Sequence, residues 1–145
     1  MGDRVSVGTG AAMMSDQITA EFGEPNQPLA GLRLLLVEDE ALIAMELEEL
    51  ISSLGGEAVG PFGRVADALE VLRREHVNGA VLDVRLDGDT TFQIADILLQ
   101  AANPILFVTG ADSLIPERYR QVPRLHKPFD YAEFARLANS VFGGR

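Results

Sequence analysis

The chain has 145 residues, a formal net charge of −10 and 47% hydrophobic side chains, which suits one domain with a full core and not a disordered chain. The acidic balance argues against nucleic acid and against an anionic membrane surface, since both ask for clustered Lys and Arg. Cysteine is absent, which excludes disulfides, thiolate metal sites and a Cys nucleophile. The opening MGDRVSVGTG lacks the apolar centre of a signal peptide and no apolar run is long enough to span a membrane, so the expected location is cytoplasmic.

Residues 1–30 are rich in Gly and Pro and poor in large apolar side chains. They read as a flexible N-terminal extension with a short helix around Ala11–Phe22, and residues 31–145 read as one domain. Leu32–Val37 is a short apolar run, hence a buried strand. Ala41–Leu54 follows with Ile43, Leu47, Leu50 and Leu54 at helical spacing, and Gly55-Gly56 ends it. Glu57–Pro61 is a second strand. Val65–Arg74 is a second helix with Val65, Leu69 and Leu72 on one face. Ala80–Val84 is a third strand. Thr91–Ala101 is a third helix, capped by Asp89 or Thr90, with Phe92, Ala95, Leu98 and Leu99 facing inward. Pro104 breaks the chain before a fourth strand, Ile105–Thr109. Ala111–Arg120 reads as a weak fourth helix and Arg124–His126 as a fifth strand. Asp130 and Glu133 have capping-box spacing before a last helix, Tyr131–Phe142, which Gly143 ends.

Strand and helix thus alternate five times. Crossover helices make the strands parallel and bury both faces of the sheet. In such α/β sheets, sites form beyond the carboxyl ends of the strands. The first strand ends Val37-Glu38-Asp39-Glu40, the third Leu82-Asp83, the fourth Val108-Thr109-Gly110 and the fifth His126-Lys127-Pro128. One edge should therefore gather carboxylates, a hydroxyl and an ammonium.

Crowded carboxylates repel unless a cation intervenes. A hard divalent ion with oxygen ligands removes the repulsion, and Mg²⁺ is the usual occupant beside phosphate. Asp39 and Asp83 can ligate it directly, and Glu38 directly or through a water. The Thr109 hydroxyl can donate to a phosphoryl oxygen, and Lys127 supplies a mobile point charge for the same group. Such a set suits phosphoryl transfer onto a carboxylate. Taken singly, each residue has an ordinary reading: Glu38–Glu40 as acids favoured by a helix dipole, Asp83 as a turn cap, Thr109 as a β-branched strand residue, Lys127 as a solvated lysine. Asp87 and Asp89 read most simply as loop acids. The inference rests on four strand ends supplying complementary chemistry in one place.

LLLVEDE, AVLDVRL, FVTG and HKPF, in that order, resemble the receiver domain of two-component response regulators over about residues 32–142. The resemblance implies a flavodoxin-like (βα)5 fold with strand order 2-1-3-4-5. It implies that Asp83 is the phosphoacceptor, and that Glu38, Asp39, Asp83 and the backbone carbonyl of Arg85 hold Mg²⁺. It makes Thr109 the switch hydroxyl, Lys127 the matching lysine and Lys127–Pro128 a cis peptide. FVTGAD partly resembles the FAT GUY subgroup, whose members are typically single-domain receivers. Two departures fit that subgroup: Asp87 stands where most receivers have Pro, and Arg124 where most have Tyr or Phe. The second puts the family's usual coupling through an inward-swinging aromatic ring in doubt.

The expected role is a single-domain regulator that takes phosphate from a sensor histidine kinase or a histidine phosphotransfer protein. It would switch a contact for a downstream protein or relay the phosphoryl group, with no separate turnover activity. Arg85 is expected to tune the lifetime of the phosphoryl group. Two rivals remain. One is an interaction module that works without phosphorylation. The other is a haloacid-dehalogenase-type phosphatase, suggested by Asp87-Gly-Asp89-Thr-Thr91.

Overall fold

A computed structural model describes residues 27–143 of the chain. The extension up to residue 26, with the helix expected at Ala11–Phe22, lies outside the described residues. The domain is packed from Leu29 onward: that side chain is fully buried and its N–H donates to the Leu54 carbonyl.

Five strands form one parallel sheet: β1 (Arg33–Val37), β2 (Glu57–Phe62), β3 (Gly79–Asp83), β4 (Ile105–Thr109) and β5 (Arg124–His126). Their spatial order is β2-β1-β3-β4-β5, the doubly wound order expected. Alternation along each strand sorts the core into two layers. Leu35, Val37, Leu82 and Phe107 face one way, against α2 (Val65–Arg74) and α3 (Phe92–Gln100). Leu34, Leu36, Val81 and Val108 face the other, against α1 (Ala41–Ser53) and α4 (Tyr131–Phe142). β3 and β4 are buried along their whole length, as central strands covered on both faces must be. Among the described residues, no helix is long and apolar enough to cross a membrane.

The helix ends follow the sequence signals. Gly55, at φ +95°, closes α1. Its N–H donates to the Ser52 carbonyl and that of Gly56 to Ile51, the paired bonds of a Schellman motif that only an unstrained left-handed residue permits. At α4 the capping box is complete: Asp130 Oδ1 accepts from the Glu133 N–H at 2.8 Å, and the Asp130 N–H donates to Glu133 Oε1 at 3.0 Å. Lys127–Pro128 is cis, as is Gly60–Pro61, which was not anticipated.

Three expectations are corrected. Ala111–Arg120 is not a helix but two short 3-10 turns, Asp112–Leu114 and Glu117–Tyr119. Pro116 between them has no N–H and forces Ile115 out of the helical region, to φ −91°, ψ 120°. Neither Asp89 nor Thr90 caps α3; both belong to a small antiparallel hairpin with Arg85–Leu86, turning at Gly88. The residue before α3 is Thr91, whose hydroxyl is used elsewhere. The inward face of α3 is Ile94, Ala95 and Leu98, with Leu99 40% exposed. Ala95 and Leu98 face inward as expected and Phe92 packs half-buried against the same core, while Ile94 takes the place expected of Leu99.

Candidate functional site

The carboxyl ends of β1, β3, β4 and β5 meet in a recess. β1 delivers Glu38 and Asp39, β3 delivers Asp83, β4 delivers Thr109 and β5 leads into Lys127. The register explains the meeting. Val37 pairs with Leu82, Asp83 with Val108 and Thr109 with His126, so the four ends are level. The Lys127 N–H then donates to the Thr109 carbonyl at 2.9 Å, which fixes where the lysine leaves the sheet.

Carboxylate oxygens of Glu38, Asp39 and Asp83 lie within 4.8 Å of one another. Glu38 and Asp83 are buried and Asp39 is exposed. Lys127 Nζ sits among the acids, 3.2 Å from Glu38 Oε1, 3.4 Å from Asp83 Oδ2 and 3.1 Å from Glu40 Oε1. Glu38 Oε2 accepts from the Glu40 N–H at 3.1 Å. Glu38 Oε1 is buried and, for all its closeness to Nζ, accepts no aligned hydrogen bond. Asp39 Oδ2 accepts from the Asp87 N–H at 2.9 Å.

These surroundings shift the charges. Burial pushes the Glu38 carboxyl up to about 7, with the nearby Asp83 adding to the rise, although the Glu40 N–H and Lys127 oppose it. Burial also raises Asp83, against the pull of Glu38 and Lys127. Burial works against the Lys127 ammonium, but Asp83 and Glu38 more than offset it, and its pKa is raised.

The donor set fits a hard divalent cation. Three carboxylates with one orphaned buried oxygen are a concentration of negative charge that oxygen-preferring ions relieve. Thr109 is buried, and its Oγ1 accepts from the Ala111 N–H at 2.9 Å. Arg85 is exposed at the mouth of the recess. Asp87 and Asp89 are exposed on the hairpin and not at the end of a sheet strand, where a dehalogenase-type nucleophile would stand.

No family model matches the chain. Relatives do. The sensory transduction protein LytT of Bacillus cereus is 35% identical over 104 residues, covering 68% of this chain and 42% of its own length. The phyllosphere-induced regulator PhyR of Methylorubrum extorquens is 31% identical over 109 residues, covering 73% of this chain and 39% of its own. The chain thus spans about two fifths of the length of these curated relatives. The solution structure of SdrG from Sphingomonas melonis Fr1 is 36% identical, with a TM-score of 0.67, and the match covers 77% of this chain and 96% of SdrG. The chain belongs to the response regulator receiver domains.

Receiver domains are the input modules of two-component response regulators, and the relatives are named as a sensory transduction protein and a regulator. Three residues of this receiver went unread in the sequence. Glu40 looked like a first-turn acid but reaches Lys127. Thr91 looked like part of α3; its fully buried hydroxyl donates to the Asp83 carbonyl at 2.7 Å and braces the end of β3. Tyr119 is buried beneath the β4–β5 connection. It stacks on Phe92 at 5.2 Å between centroids and meets Phe107 edge-on at 5.6 Å. Its hydroxyl donates to Asp96 at 2.5 Å and accepts from Arg118 at 2.7 Å. Burial and Asp96 push that phenol up to about 12. Arg124, which stands where most receivers carry an aromatic, donates to the Tyr119 carbonyl at 2.8 Å.

Proposed function

We propose that Asp83 is the phosphoacceptor of this receiver and that the unit doing the work is residues 31–145, extended by the packed Leu29. The observation carrying the reading is Lys127 Nζ at 3.4 Å from an Asp83 carboxylate that shares its pocket with Glu38 and Asp39. A carboxylate oxygen of Asp83 attacks phosphorus, the P–N bond of a phosphohistidine breaks as the O–P bond forms, and the released imidazole takes up a proton. Glu38, Asp39, Asp83 and the Arg85 carbonyl would hold Mg²⁺, which supplies charge neutralisation for the acids and the incoming phosphoryl oxygens. Lys127 follows the transferred charge, and the Thr109 hydroxyl turns from the Ala111 N–H to donate to a phosphoryl oxygen. That turn releases the start of the β4–β5 connection, which makes its surface the readout. Arg85, at the mouth, limits water access to the acyl phosphate and so tunes its lifetime.

The donor is a sensor histidine kinase or a histidine phosphotransfer protein, the output a contact with a downstream protein or onward relay, and the setting the cytoplasm. No turnover of separate substrates is part of this reading. The test is phosphotransfer from candidate kinases, with and without Mg²⁺, to wild type and to Asp83→Asn. Wild type should take acid-stable, base-labile label only with Mg²⁺, and Asp83→Asn none. Label of equal strength on Asp83→Asn would defeat the assignment.

A further inference from the structure

The three carboxylates around Lys127 are not equivalent. Glu38 and Asp83 belong to the cluster suited to a cation, and Glu40 does not. Glu40 nevertheless makes the shortest contact, 3.1 Å from Oε1 to Nζ. It also stands at the N-cap of α1, in extended backbone at φ −84°, ψ 111°, yet its side chain makes no capping hydrogen bond. Glu is not among the residues that usually cap a helix through the side chain, so its carboxylate is free for another partner. Here the carboxylate is directed across the mouth of the site to a lysine that follows another strand. Its backbone cannot drift, because its N–H is held by Glu38 Oε2. Its side chain stays 60% exposed, whereas that of Lys127 is 17% exposed. The lysine is therefore tethered from outside by the one acid of the three that a cation in the cluster leaves uncompensated.

We propose that Glu40 is a positioning residue that tethers Lys127 in the unphosphorylated state and thereby slows the charging of Asp83. This rests on Asp83 being the phosphoacceptor. Phosphoryl oxygens on Asp83 compete with Glu40 for one ammonium, so each contact they gain displaces the tether. Glu40 thus favours the empty state over the charged one. Its negative charge at the mouth also repels an anionic phosphodonor on approach.

The test uses Glu40→Gln, which keeps the shape and removes the charge. The full chain is treated with acetyl phosphate, a donor too small to need a docking surface, at saturating Mg²⁺. Phosphorylation should run about 1.5- to fivefold faster than in wild type, the range a partly exposed ion pair supplies. Affinity for beryllofluoride, a phosphoryl mimic, should rise by a similar factor. Affinity for Mg²⁺ alone should stay within about twofold, because Glu40 is outside the cation cluster. A residue that merely supported the fold would give slower labelling and a lower Tm, not a gain. Unchanged or slower labelling of Glu40→Gln, beside a normally labelled wild type, overturns the tether alone. Weakened Mg²⁺ binding also overturns it, by placing Glu40 on the cation. A wild type that takes no label on Asp83 defeats the phosphoacceptor reading first, and the tether with it.

Discussion

On one side of Asp83 the wall of the site is sheet; on the other it is loop. The sheet side is the pair β1 and β3, ladder-bonded along their length and covered on both faces by apolar side chains at 0% exposure. Acids placed on its end cannot move apart, so burial and proximity appear as shifted pKa values on Glu38 and Asp83. The loop side, from Gly110 to Gln121, has one buried side chain, Tyr119, with Ile115 and Pro116 half-buried. Its outer tie is an exposed contact, His126 Nε2 to Asp112 at 2.8 Å, worth little in water. One wall holds charge under repulsion because it is rigid. The other is fastened at one point, Tyr119, with its remaining ties at the surface, so it can change position more readily, which is what a switch surface needs.

The largest expected effect comes from breaking the rigid wall. Leu36→Ala removes a fully buried side chain from the middle of β1 and should cost about 2–5 kcal/mol of global stability. Denaturant unfolding should show a lower midpoint, and hydrogen exchange should accelerate across β1 and β3 together. Tyr119→Ala is smaller and differently distributed. It removes the anchor of the loop and should cost about 3 kcal/mol, the low end for a buried aromatic, since the exposed segment above can settle into the space. Exchange should rise sharply at the amides of Ile115, Tyr119 and Val122, which are bonded only within the segment, while β1 and β3 keep their protection. Equal acceleration in both walls would mean that the two are one cooperative unit.

The sequence made the rigid wall legible and the loop illegible for the same reason. Apolar runs such as LLLV and AVL, ending in acids, specify strand, burial and carboxyl end at once, so Glu38, Asp39, Asp83, Thr109 and Lys127 could be placed from pattern. Ala111–Arg120 carries no such redundancy. Its turns are set by Pro116 and by one ring finding Phe92 and Phe107 from other elements. That tertiary packing is invisible in a local window. Glu40 and Thr91 were missed on another ground. Each sits at the start of a helix, where a local role is the default, and only the fold shows the side chain spent on Lys127 or on the Asp83 carbonyl.

The smallest effect tests whether rigidity is what crowds the acids. Glu38 and Asp83 both bind protons more tightly in the folded chain than the ordinary carboxylate does, Glu38 up to about 7 from 4.5. The contribution of Glu38 to stability is therefore complete below its unfolded pKa and is lost as pH rises through about 7, and Asp83 acts in the same direction. If these acids hold Mg²⁺ as proposed, the ion and the proton compete for the same oxygens, so a proton must leave before the ion binds. Apparent Mg²⁺ affinity should climb about tenfold per pH unit between about pH 5.5 and 7, then flatten, a change of about 1.4 kcal/mol per unit. The rise in Tm on adding Mg²⁺ should be larger at about pH 8 than at pH 5.5. Glu38→Gln should flatten the pH dependence as well as weaken binding, because the group that holds the proton is gone. An affinity already flat from about pH 5.5 to 8 in wild type would mean that the end of the sheet yields, letting the carboxylates separate until each titrates as it would in water.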